Sequence, residues 1–148
     1  MKVSSVKIND AAVQSEEGVW QADLPELGNM RFLVRGLNNK QYRLKFEAMV
    51  RALPPSKKKN GAIDPVERDR LTGLCLLEHA LLNWDNVEGD VEGELQPYTK
   101  ELARLYLTDP DYQKIRDGVF VAASRVGEAV EEDAAGTAKN LKLPSTTL

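Results

Sequence analysis

Residues 64–82 read DPVERDRLTGLCLLEHALL, and this stretch decides the fold class. Asp64 as N-cap, Pro65 at the first helical position and Glu67 three residues after the cap form a helix start signal. The acidic groups suit the unpaired amides of a first turn, and proline has no amide to leave unpaired. Leu71, Leu74, Cys75, Leu76, Leu77, Ala80, Leu81 and Leu82 then spread apolar side chains over much of the helix circumference. A helix with so little wet surface has to be surrounded. The stretch predicts a central helix, continued through Leu82, with other elements packed around it.

Upstream, Tyr42, Phe46, Met49, Val50 and Leu53 share one helical stripe. Asn38 and Gln41 predict its start near Asn38, because each side chain can reach the other's amide, and Pro54 with Pro55 predicts its end. Ser56 to Ala62, with Lys57, Lys58, Lys59 and Gly61, reads as a solvated loop. Further upstream the period changes to two. Met30, Phe32 and Val34 alternate with Arg31 and Arg35, and Trp20, Ala22 and Leu24 repeat the spacing. Pro25 to Asn29, with Gly28, supplies turn chemistry between them, which predicts a β-hairpin. Val3 to Ile8, where Val6 and Ile8 share a face, is expected to add a third strand.

Downstream, Asp85 to Gln96 is an acidic, glycine-containing loop leading through Pro97 and Tyr98 to Thr99. Thr99 predicts the N-cap of a short helix carrying Leu102, Leu105 and Tyr106. Thr108, Asp109 and Pro110 repeat the start signal, and Tyr112, Ile115, Val119, Phe120, Ala123 and Val126 follow at helical spacing. From Glu131 the apolar period fades, which predicts a flexible tail over 131–148. The expected architecture is α+β, mainly α: an N-terminal β-hairpin or small three-stranded sheet, then about four helices, in one domain over 1–130.

Composition bounds the function. Apolar residues make up 42% of the 148, enough for one core. Twenty Lys and Arg against 23 Asp and Glu leave a net charge of −3, so no whole-molecule field gathers nucleic acid. No apolar run is long enough to span a bilayer, and Met1 to Asp10 lacks the apolar stretch of a secretory signal. One cysteine and one histidine exclude an internal disulfide and most zinc sites.

The chemistry-bearing groups are few. Cys75 and His79, four apart on one helix, are the single candidate pair for an activated thiolate, with no companion oxyanion hole. Asp85, Glu88, Asp90, Glu92 and Glu94 offer oxygens for calcium, but Val87 stands where a calcium-binding hand needs a ligand. Neither catalytic residues nor a metal or other cofactor are therefore expected. Candidate partner-binding residues are Trp84 and Tyr98, which frame the acidic loop, Phe120 on the last helix, and Lys57, Lys58 and Lys59. The plainer reading makes Trp84 and Tyr98 anchors of the loop and the lysines solubilising.

Trp84 and Asp85 after a leucine-rich helix, the acidic loop, then Pro97, Tyr98, Thr99, Glu101, Leu102 and Ala103 resemble the middle of the tail assembly chaperones of long-tailed, siphovirus-type phages and prophages. Leu24, Pro25, Leu27 and Gly28, then Val34, Arg35, Gly36, Leu37 and Tyr42, resemble that family upstream, and Val119 to Arg125 resembles its last helix. The likeness spans Trp20 to Val126, with Gln96 standing where the family pattern suggests an apolar residue. It implies a non-catalytic chaperone of the host bacterial cytoplasm that binds the tape measure protein and recruits tail tube protein. A longer, frameshifted product is common in such families. The competing expectation is a structural tail or head-completion component retained in the virion.

Overall fold

The computed structural model describes the backbone of residues 16–146 and the side chains of residues 16–129. The strand expected over Val3 to Ile8 lies outside them. Within them a three-stranded antiparallel sheet packs against helices: β1 (Val19–Gln21), β2 (Arg31–Val34), α1 (Lys40–Ala52), β3 (Lys58–Lys59), β4 (Ala62–Ile63), α2 (Pro65–His79), β5 (Leu81–Asp85), α3 (Lys100–Thr108) and α4 (Gln113–Thr146). The class is α+β, mainly α.

The hairpin forms with Val19 opposite Val34 and Gln21 opposite Phe32, and β2 alternates as expected. However, β1 ends at Gln21 and the expected row of Trp20, Ala22 and Leu24 does not form, because Trp20 lies opposite Leu33 on the other face. Phe32 and Val34 are fully buried, whereas Trp20 lies on the outer face beneath the Arg31 guanidinium, 4.9 Å from the ring centroid. The third strand is β5, which lies beside β2 in the order β1-β2-β5. This corrects the expectation that the central helix continues through Leu82. The pairing explains why the period misleads: Leu33 lies opposite Asn83 and Val34 opposite Leu81, so Leu82 is an extra residue at a bulge. The bulge turns Leu81 and Trp84 to the core three residues apart, which in a sequence looks like another helical turn.

Helix α2 stops without glycine or proline because other elements take its last carbonyls. The Arg35 amide donates to the Ala80 carbonyl at 2.9 Å, and Asn39 Nδ2 donates to the His79 carbonyl at 3.1 Å. Asn39 is also the N-cap of α1, its Oδ1 accepting from the Tyr42 amide at 2.8 Å, and its Nδ2 reaches the Gly36 carbonyl at 2.7 Å. One buried amide therefore caps two helices, and the cap sits one residue later than the Asn38 start expected.

The segment read as a solvated loop is more ordered than its lysines suggested. After a 3-10 turn at Pro55–Lys57, β3 and β4 pair through Asn60 and Gly61, both at positive φ, the dipeptide a tight hairpin turn favours. Thr99 caps α3 as expected, accepting from the Leu102 amide at 3.1 Å. Gly73 lets α2 and α3 close together, since a Cβ there would fall on the backbone carbonyl of Leu107. Helix α4 buries Val119, Ala122, Ala123 and Val126 and continues to Thr146, past the end expected near Glu131. Glu131, Glu132, Ala134, Ala135, Ala138 and Leu141 are good helix formers, which sustains the backbone where apolar periodicity has ended. Among the described residues no helix is long and apolar enough to cross a membrane.

Candidate functional site

Two regions hold Trp84, Tyr98 and Phe120, three of the residues singled out from sequence. The first is the acidic loop after β5. Trp84 is buried, its Nε1 donating to the Gln96 carbonyl at 2.7 Å, and its ring meets Tyr98 edge-on at 5.0 Å and Tyr106 at 5.7 Å. Gln96 accepts from the Tyr106 hydroxyl at 2.5 Å, and its amide donates to the Val87 carbonyl at 2.7 Å. The glutamine side chain ties the end of the loop to Tyr106 of α3, which an apolar side chain could not do, while the bonds to Trp84 and Val87 are made by its backbone. Burial raises the Tyr98 and Tyr106 hydroxyls above their ordinary values. The loop itself closes as a small hairpin, with Glu88 bridged to Leu95 and the Gly89 amide donating to the Glu94 carbonyl at 3.2 Å. Asp85 is ion-paired with Arg31 at 2.6 Å, and that hydrogen bond, followed by the Asn86 amide, holds its carboxyl below the usual range. Among the described residues no group of three His, Cys, Asp or Glu side chains is placed to hold a metal ion.

The second region is a groove of about 440 Å³ between α1, α2 and α4. Leu37, Tyr42 and Phe46 form one wall, Arg68, Asp69 and Thr72 another, and Arg116, Asp117 and Phe120 the third. Tyr42 and Phe46 come together because they lie one turn apart on α1, their rings parallel within 7° at 6.4 Å. Burial, then proximity to Cys75, raises the Tyr42 hydroxyl above its ordinary value. Phe120 stands across from them and is 41% exposed, a large apolar side chain left in water.

Arg116 is the residue that sequence reading missed. Its side chain is only 6% exposed, and its Nη2 lies 3.5 Å from Asp69 and 3.7 Å from Asp117, both mostly exposed. A buried guanidinium between two wet carboxylates is charge-compensated, and it fixes the α2 and α4 walls relative to each other. A signal for it existed: Arg116 falls three, four and seven residues before Val119, Phe120 and Ala123, on the apolar stripe itself.

The remaining candidates are not gathered at either place. Lys57, Lys58 and Lys59 lie on the 3-10 turn and β3, where Lys57 sits 3.9 Å from Glu67. Cys75 is fully buried and donates to the Met49 sulfur at 3.7 Å, and desolvation pushes its thiol up to about 11. That is the opposite of the lowered pKa of an activated thiolate.

With this geometry in place, comparison with known proteins places the chain. The family model described as YdaY prophage protein matches residues 37–140, and the chain belongs to that family. No curated protein and no solved structure matches it.

Proposed function

We propose that this member of the YdaY prophage protein family is a non-catalytic tail assembly chaperone of the host cytoplasm, and that the groove between α1, α2 and α4 grips its client, the tape measure protein. Family membership supports a phage role. The likeness of the Trp84 to Ala103 and Val119 to Arg125 segments to tail assembly chaperones supports the finer reading. The observation that carries the client site is the groove itself: exposed Phe120 faces a stacked Tyr42 and Phe46, with charged side chains along the rim. Such a cleft takes the apolar face of a helix, and tape measure proteins are long and helical. Holding many similar segments weakly keeps such a client soluble while tail tube protein assembles on it.

The test is co-expression of the full chain with the tape measure protein of the same prophage, followed by capture. Phe120→Glu is expected to lower capture at least tenfold, because an exposed aromatic at a groove centre acts as a hot spot worth about 2 kcal/mol. Its melting temperature should stay close to that of the original chain. Undiminished capture by a folded Phe120→Glu protein would remove the client from this groove. No capture by the unaltered chain, together with abundant protein in finished particles, would replace the chaperone with a structural virion component.

A further inference from the structure

Charge is segregated along this chain. Between Lys40 and Arg70 there are nine Lys and Arg against four Asp and Glu, while the rest of the chain carries eleven against nineteen. The outer face of α1 presents Lys40, Arg43, Glu47 and Arg51 around Leu44, which is 49% exposed, and Lys40, Arg43, Leu44 and Glu47 line a shallow depression there. Lys40, Arg43, Arg51, Lys58 and Lys59 form no salt bridge among the described residues, and neither do Glu88, Asp90, Glu92 and Glu94. The acidic loop carries the matching apolar groups, with Val91 and Leu95 61% and 53% exposed between its carboxylates.

We propose that the outer face of α1 binds the acidic loop of a second copy of this chain, Leu44 meeting Val91 and Leu95 while Lys40 and Arg43 meet Asp90, Glu92 and Glu94. The two surfaces are complementary in sign and in apolar content, and the loop is presented already shaped. Its internal backbone bonds and the Trp84, Gln96 and Tyr106 contacts hold it closed, so little ordering remains to be done on docking. Nucleic acid fits the basic face less well, because Glu47 stands among the cations and no aromatic side chain on that face offers a base a stacking platform. The contact joins two different patches, so it is head-to-tail and propagates from copy to copy. It uses a face of α1 opposite the groove wall and does not depend on the client assignment.

The experiment is sedimentation velocity on the full chain over a range of concentrations at about 50 mM and about 500 mM salt, where screening of exposed charge differs several-fold. At low salt the average mass should rise with concentration above the monomer, and at high salt it should fall back. Lys40→Glu with Arg43→Glu should leave a monomer, as should Asp90→Lys with Glu92→Lys. In an equal mixture of these two proteins the intact loop of one meets the intact face of the other, and the reversed face meets the reversed loop with opposite charge, so association should return although each protein alone stays monomeric. Thermal melts of both variants check that each is folded. A chain that stays monomeric at low salt, or self-association that survives either pair of reversals, would overturn the proposal. Retention of a short duplex DNA by the unaltered monomer, lost in Lys40→Glu with Arg43→Glu, would give the face to nucleic acid instead and overturn it too.

Discussion

Alanine substituted at three helical glycines separates close packing from helix propensity, because the two effects oppose each other and the structure ranks them differently at each site. On an open helix, glycine to alanine stabilises by about 1 kcal/mol, since alanine loses less backbone freedom on folding. At Gly73 the added methyl falls on the carbonyl oxygen and carbon of Leu107, backbone atoms of α3 that cannot rotate away. Helices α2 and α3 would have to part by ~1 Å, which forfeits a quarter to a half of the dispersion well for contacts across the seam. Leu71, Leu76, Ala103 and Leu107, all at most 1% exposed, lie on these two helices. A loss of about 3–4 kcal/mol against a gain of about 1 leaves Gly73→Ala destabilised by about 2–3 kcal/mol. Its melting temperature should fall by about 5–10 °C. At Gly127 the nearest atom to an added Cβ is 3.6 Å away, an ordinary contact, so Gly127→Ala should gain about 0.5–1 kcal/mol and melt higher. Gly118→Ala meets only the end of the Leu27 side chain, which can rotate, and should fall between the two. Urea melts monitored by circular dichroism give all three values. A Gly73→Ala protein as stable as the original would refute the close approach of α2 to α3, and a destabilised Gly127→Ala protein would refute the propensity argument.

Two further outcomes follow from single residues. Asn39→Asp keeps the oxygen that caps α1 but replaces the amide donor to the Gly36 and His79 carbonyls with a carboxylate, so it should cost about 3 kcal/mol by urea melt; a neutral result would show that those carbonyls find other partners. Asp85 has a folded pKa held below its ordinary 3.8, so its contribution to stability is complete above that value and is lost as pH falls through the lower folded one. Urea midpoints measured from neutral pH down through that window should fall less steeply for Asp85→Asn than for the original chain, and parallel curves would remove the Arg31 pair from the pH response.

Elements whose signals are local were legible. Asp64, Pro65, Thr99 and the paired prolines after Leu53 act on the nearest turn of backbone, and they marked the helix ends to within a residue. What sequence could not show was settled by distant contacts. The end of α2 at His79 depends on Arg35 and Asn39, about 40 residues away. The bulge at Leu82 depends on pairing with β2, and it disguises a strand as a helical turn. Among the candidate partner residues, Phe120 is at the groove, while Trp84 is spent on the loop because Gln96 and Tyr106 surround it. Lys57, Lys58 and Lys59 stand on a hairpin whose turn, Asn60 and Gly61, was a readable signal overshadowed by charge. Arg116 was missed because an arginine on an apolar stripe is discounted unless its two carboxylate partners are known, and one of them is on another helix.

The position of β5 in the sheet has a consequence for how the chain is made. The first two strands are complete by Val34, yet the neighbour that finishes their sheet, and the Trp84 that lies opposite Phe32, are more than half the chain into synthesis. Until then the ribosome holds a nascent hairpin with its greasy side bare, and closure waits on both intervening helices. A protein proposed to shelter another's unfinished length thus passes through an unsheltered stage of its own, which ends when residues 81–85 emerge.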